Sequence, residues 1–166
     1  MSEDFLIWEV PPDKREDLAT ILDESFEGWY LWHSKRTLRS ISLVKAASIG
    51  KAAAGLIMLK ELGEKVGYIY YVAVRPEFRR KEVAGRLVDD ALGYFASRGD
   101  SMVYATVEED NLASFSLFNS RGFAATSFGD ISRAHGRLKA RYMMFEMRVV
   151  AGEVMLLKTL QATKNA

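Results

Sequence analysis

Val74–Leu87 reads VRPEFRRKEVAGRL, a proline followed by a dense run of basic residues. The aromatic run YIYYVA, Tyr68–Ala73, precedes it, and DDALGYF, Asp89–Phe95, lies just beyond. Alternating strand residues stop at Pro76, which has no N–H to give a ladder. From Val83 the apolar positions are Val83, Leu87, Val88, Ala91, Leu92 and Phe95, the spacing of one helical face. The stretch is therefore a strand-to-helix turn. Between Arg75 and Arg86 it holds five basic residues (Arg75, Arg79, Arg80, Lys81, Arg86) and two acidic ones (Glu77, Glu82), net +3. A helix that starts there aims unpaired N–H groups and the positive end of its dipole at the space beyond the strand. Ala84 and Gly85 allow close approach to the backbone. A phosphate or pyrophosphate suits such a place, and the alternative is a solvated basic turn. Neither G-x-x-x-x-G-K-[ST] nor G-x-G-x-x-G is present.

Working outward, Phe5–Val10 reads as a strand ended by Pro11-Pro12, and Asp13–Phe26 as a helix carrying Leu18, Ile21, Leu22 and Phe26. Gly28–His33 is an aromatic cluster in or near a second short helix. Ser42–Ser48, Ala54–Leu59 and Gly67–Val74 read as hairpin strands around IGK and Gly63-Glu64-Lys65. Beyond the central helix, Met102–Val107 is strand-like and Asn111–Ser120 helical, stopped by Gly122. Phe123–Phe128 and Tyr142–Val149 read as two further strands around a basic loop. This order predicts an α/β (mixed α+β) fold: one domain over residues 1–150, with a central mixed, mostly antiparallel sheet of six to seven strands and helices on both faces. In Ala151–Ala166, Val154, Leu157 and Leu160 have roughly helical spacing. That segment reads as a tail, or as a short helix docking on the body or on a second copy in a homodimer.

The 166 residues suit one core, and half are hydrophobic. A net charge of +1 gives no global pull toward nucleic acid or an anionic membrane, so neither is an expected partner. With no cysteine there is no disulfide, no thiolate nucleophile and no cysteine-built zinc site; two histidines, His33 and His135, make a histidine metal centre an unexpected one. MSEDFLIWEVPPDKRED lacks the layout of a signal peptide, and Ala52–Leu59 is far too short to span a membrane, so a cytoplasmic protein is expected.

V-x-P-x-x-R-x-x-x-x-A-x-x-L resembles the acetyl-CoA motif of the GNAT superfamily of N-acetyltransferases, in which a strand leads into [RQ]-x-x-G-x-[GA] and a helix. Downstream, NLASFSLFNSRGF resembles the family's N-x-x-[AS]-x-x-x-[YF]-x-x-x-G-F, with Asn111, Ser114, Phe118, Gly122 and Phe123 in place. The element order from Phe5 to Val149 is similar too. The resemblance implies that the backbone of Val72, Ala73 and Val74 bonds the pantetheine arm of acetyl-CoA like an added strand. It implies that Arg79, Arg80, Lys81, Glu82, Val83 and Ala84 hold the pyrophosphate, and that Asn111 bonds the pantetheine.

Three positions depart from the family. Glu82 stands where the motif has glycine, adding bulk and a like charge that Arg79, Lys81 or Arg86 would have to balance. Phe118 stands where many relatives have a tyrosine that protonates the leaving thiolate, and phenylalanine has no proton to give. Thr106 stands where some relatives carry a glutamate base. Others carry a glutamate or tyrosine at the position of Tyr68, which makes Tyr68 the candidate for ordering a proton-accepting water; filling the core is the alternative. Glu108 and Glu109 are fallback bases. Trp29, Tyr30 and Trp32 are candidates for an acceptor wall, or for packing. Arg133, Arg137, Lys139 and Arg141 suit an acidic acceptor or a CoA phosphate, or are solvated. The expected activity is direct acetyl transfer from acetyl-CoA to a primary amine in a ternary complex, with a non-catalytic acyl-CoA-binding module as the alternative.

Overall fold

The computed structural model describes residues 4–161. Seven strands form one sheet in the order β1-β2-β3-β4-β5-β7-β6. They are β1 (Phe5–Glu9), β2 (Leu43–Ile49), β3 (Ala52–Gly63), β4 (Val66–Val74), β5 (Met102–Glu108), β6 (Ala124–Thr126) and β7 (Glu153–Thr159). The pairs β1/β2, β2/β3, β5/β7 and β6/β7 are antiparallel, whereas β4 and β5 run parallel. Among the described residues six α-helices connect them: α1 (Ala19–Asp23), α2 (Gly28–Ser40), α3 (Val83–Ser97), α4 (Leu112–Asn119), α5 (Phe128–His135) and α6 (Arg137–Met147). The fold is the mixed, mostly antiparallel α/β type that the sequence predicts.

The contacts divide the chain into two compact units. One comprises the residues up to Lys60 together with Tyr71–Ala91. Here the hairpin turn between β2 and β3 uses Gly50 at φ 59°, which only glycine adopts freely. The predicted helix Asp13–Phe26 is instead a 3-10 turn over Pro12–Leu18 followed by the short α1. Buried Arg15 explains the break. Its guanidinium donates to the Ile41 carbonyl at 2.5 Å and the Ser42 carbonyl at 3.3 Å, at the C-terminal end of α2, where cations are favoured. The short second helix is a full α2 of 13 residues.

The other unit comprises Glu61–Tyr70 and the residues from Leu92 onward. Neighbouring residues of β4 face opposite ways here. A Cβ on Gly67 would meet the Phe95 ring of α3 at 2.5 Å, while Tyr68 sits in a core with Tyr104, Ile131, Ala140, Met143 and Met147. Helices thus cover both faces of these strands.

Two expectations are corrected. The basic loop and the strand Tyr142–Val149 are a helical pair, α5–α6. Ser127 caps α5 by accepting from the Asp130 N–H, and Asp130 accepts in turn from the Ser127 N–H, a capping box. The C-terminal segment, predicted as a tail or docking helix, contributes β7 over Glu153–Thr159, paired with β5 on one side and β6 on the other. Residues 162–166 of that expectation lie outside the described residues.

Candidate active site

The first unit carries the strand-to-helix turn. β4 ends at Val74, one 3-10 turn covers Pro76–Phe78, and α3 begins at Val83. Val83 is buried with its side chain near Gly55, so the helix start is anchored from beneath. Its first N–H groups, from Val83, Ala84 and Gly85, have no partner within the helix, the general condition for an anion site at a helix start. Arg79, Arg80, Lys81 and Glu82 are all exposed at this end.

Two backbone angles shape the turn, and one of them lies at the motif's glycine position. Glu82 has φ 60° and Arg80 φ 62°, both in the left-handed region. Glycine adopts that conformation without strain, whereas a residue with a Cβ holds it at about 1–2 kcal/mol. The turn keeps the left-handed shape although Glu82 occupies the position.

The five basic residues divide by role. Arg75 is a structural clamp: its Nε donates to the Ala53 carbonyl at 2.9 Å, and its terminal nitrogens donate to Glu24 at 2.7 Å and Thr20 at 2.9 Å. Arg86 lies over the Phe5 ring at 3.5 Å, in a surface groove with Ile7, Asp89 and Asp90. Arg79, Arg80 and Lys81 remain as the cations at the turn. Arg79 also reaches back to the Val74 carbonyl at 3.4 Å, and Lys81 stands 5.6 Å from the Phe78 ring.

Gly55, a residue the sequence reading passed over, lets β3 approach β4. A Cβ there would lie 2.7 Å from the Ala73 carbonyl oxygen. A lone glycine inside a strand was the available signal. In the same unit Tyr71 donates to or accepts from His33 Nδ1 at 2.7 Å. Trp29 stacks on His33 with ring centroids 4.7 Å apart, and Trp29 and Trp32 are 47% and 58% exposed. His33 is thus a buried, hydrogen-bonded histidine in an aromatic cluster.

The second unit carries Tyr68, Thr106, Asn111 and Phe118. Its parallel register joins Val66–Ile69 to Met102–Ala105. Tyr68 is fully buried; its hydroxyl lies 2.8 Å from Thr106 Oγ1 and donates to the Met147 carbonyl at 3.2 Å. The fold therefore joins the two positions that the family resemblance singles out as places for a base. Tyr70 packs edge-on against Tyr68, and burial pushes its phenol up to about 12, with Arg148 pulling down and Glu153 and Glu146 pushing up. Asn111 caps α4, its Oδ1 accepting from the Ser114 N–H at 3.1 Å, which leaves its amide nitrogen to donate. Phe118 is buried edge-on against Phe123 at 5.1 Å. Of the fallback bases, Glu109 is exposed, and Glu108 faces Glu153 in the β5/β7 register. The described residues hold no cluster of His, Cys, Asp or Glu fit for a metal ion, and no helix long and apolar enough to cross a membrane.

Comparison with known proteins shows the family. The sequence matches the Acetyltransferase (GNAT) family over residues 4–123, and the chain belongs to that family. Solved structures similar in fold include the PaiA N-acetyltransferase from Thermoplasma acidophilum in complex with coenzyme A, at TM-score 0.71 and 16% identity, covering 95% of this chain and 99% of that one. The ribosomal-protein-S18-alanine N-acetyltransferase from Escherichia coli is similar at TM-score 0.70 and 12% identity, covering 98% and 99%. An acetyltransferase from Bacillus subtilis in complex with CoA is similar at TM-score 0.65 and 17% identity, covering 96% and 99%. None of the curated proteins matches the sequence.

Proposed function

We propose that the protein transfers the acetyl group of acetyl-CoA directly to a primary amine in a ternary complex. The observation that carries this reading is the turn before α3: a left-handed backbone at the motif's glycine position, an anchored helix start and three exposed cations. Arg79, Arg80 and Lys81, with the N–H groups of Val83 and Ala84, would hold the pyrophosphate. The backbone of Val72, Ala73 and Val74 would bond the pantetheine as an added strand, and the Asn111 amide would donate to it.

Acetyl-CoA, when bound, supplies a thioester carbon for a neutral amine to attack. An N–H near Val74 would polarise its carbonyl. Holding amine and thioester together supplies most of the rate. The incoming ammonium must first lose a proton. Tyr68 would act here as a positioning residue: its own proton goes to the Met147 carbonyl, so Thr106 donates to Tyr68 and keeps its lone pairs for a water that accepts the ammonium proton. The C–N bond forms, the C–S bond breaks, the attacking nitrogen gives up its second proton to water, and the thiolate takes its proton from water, since Phe118 has none to give.

A non-catalytic acyl-CoA-binding module is the second reading, favoured by the buried Phe118 and the committed hydroxyl of Tyr68. Thiol release from acetyl-CoA, followed with a peptide N-terminus, a lysine side chain, a polyamine and small amines, separates the two. Amine-dependent release supports transfer. CoA binding without release by any amine supports the module.

A further inference from the structure

We infer that the outer face of α6 is a docking surface for an acidic peptide segment of the protein that carries the acceptor amine. The inner face of α6 is fully used: Ala140, Met143 and Met147 are buried with Ile131, Tyr68 and Tyr104. The outer face puts Leu138, Tyr142 and Phe145 into water at 83%, 55% and 66% exposure. Their i, i+4, i+7 spacing makes one stripe, roughly 10 Å long at the helical rise. Scattered apolar side chains on a surface need no explanation, but an aligned row with a polar rim marks a contact site.

The rim selects the partner. Arg137, Arg141 and Arg148 are exposed along the stripe, and Arg148 stands over the Phe145 ring at 5.5 Å. Arg133 is paired with Asp130. From Asp130 to Val149 the chain has five basic residues and two acidic, Asp130 and Glu146, so a protein of net charge +1 concentrates +3 here. That field draws an anion. Guanidinium forks pair with carboxylates at two points, and apolar anchors between acidic residues would fill the stripe. A second copy of the chain would set arginine rows against each other. A bilayer takes up helices by a wide apolar face, and here only a narrow outer stripe is on offer because the inner face is locked in the core. An acidic peptide fits both features.

In the same unit, the inner face of α6 touches Tyr68. The Met147 carbonyl that accepts from Tyr68 belongs to α6, and the charge of Arg148 is felt at the Tyr70 phenol. Naming the peptide as the acceptor rests on the acetyltransferase reading; the docking surface itself does not.

The test is fluorescence anisotropy with labelled peptides that alternate Asp or Glu with Leu or Phe, beside the same set with Lys in place of the acids. Wild type is compared with Arg137→Glu/Arg141→Glu and with Leu138→Ser/Phe145→Ser, all at exposed positions. CoA affinity and binding to phosphatidylserine–phosphatidylcholine vesicles are measured alongside. The expected result is acidic-peptide binding that falls with salt and drops at least about tenfold in either variant, with the lysine set unbound and CoA affinity unchanged in Leu138→Ser/Phe145→Ser. Equal binding of both sets, unaltered binding in the variants, no peptide binding, or capture by vesicles without peptide binding would overturn the inference. Peptide binding without any CoA binding would sink the acetyltransferase reading and leave the docking surface standing.

Discussion

The Tyr68 and Thr106 hydroxyl oxygens lie 2.8 Å apart, linking β4 to β5 through side chains just where their parallel register ends at Ile69 and Ala105. Because the one Tyr68 proton points at the Met147 carbonyl, the pair has a direction: Thr106 gives, Tyr68 receives and passes on. Thr106 is half-buried and Tyr68 wholly so, which makes Thr106 the outer end of the chain.

That direction predicts different results from the two ends. Tyr68→Phe leaves the Met147 carbonyl without its donor and is expected to lose about 1–3 kcal/mol of stability. It should also lower kcat about tenfold with little change in KM, since the Thr106 hydroxyl is no longer oriented. Thr106→Val should lower kcat at least as much while losing less stability. Urea unfolding and steady-state kinetics read the two effects. Unchanged kcat in both variants would make the pair purely structural.

Glu82→Gly removes a left-handed φ of 60° from a residue with a Cβ and a carboxylate from the anion turn. The variant is expected to gain about 1 kcal/mol of stability, against some loss from the greater freedom of glycine in the unfolded chain. It should bind CoA more tightly, by about tenfold. Thermal melting and calorimetry check both, and equal affinity would show that the carboxylate already points away from the ligand.

Two glycines separate packing from binding. A Cβ at Gly67 meets the buried Phe95 ring at 2.5 Å, and one at Gly55 meets the Ala73 carbonyl at 2.7 Å. Each alanine variant is expected to lose about 1–3 kcal/mol. Only Gly55→Ala should also weaken CoA binding, because it displaces the strand proposed to bond the pantetheine. If Gly67→Ala weakens CoA equally, strand position at Ala73 is not the cause.

Burial, and to a lesser extent Lys139, hold the His135 imidazole below its usual value, while its Nε2 meets the Tyr104 hydroxyl at 3.0 Å. The folded state thus keeps His135 neutral longer than the unfolded chain does. Its contribution is complete above about pH 6.5 and is lost as pH falls from there to the lowered folded value. The carboxyls of Glu61 and Asp100, raised chiefly by burial, act with the opposite sign. They are common to wild type and His135→Gln, so the difference between the two isolates the histidine. Urea midpoints near about pH 7.5 and 5.5 should fall more steeply for wild type than for the variant. Parallel slopes would contradict the assignment.

Much of this was legible in the sequence where one face of an element meets water. The turn before α3, the hairpin strands, the Asn111 cap and the Gly122 stop all announce themselves through period or punctuation. The C-terminal half hid two elements. β7 lies between β5 and β6, so EVMLLKT lacks a clean alternation, and the three-residue steps among Val154, Leu157 and Leu160 imitate a helix. α6 hid for the reverse reason: Tyr142, Met143, Met144 and Phe145 form a continuous apolar run because the helix carries apolar residues outside as well as inside. The preceding helix, α5, did carry a signal, the capping box at Ser127 and Asp130. The division of the five basic residues was not legible at all, since the partners of Arg75, on Thr20, Glu24 and Ala53, are distant in sequence.

Calorimetric titration of CoA into wild type, Arg80→Ala and Arg86→Ala decides whether the turn before α3 is a pyrophosphate cradle. The prediction is wild-type binding on the order of micromolar, about tenfold or more weaker in Arg80→Ala and unchanged in Arg86→Ala. Absence of CoA binding to the wild type, or an Arg80→Ala variant that binds as wild type does, would contradict it.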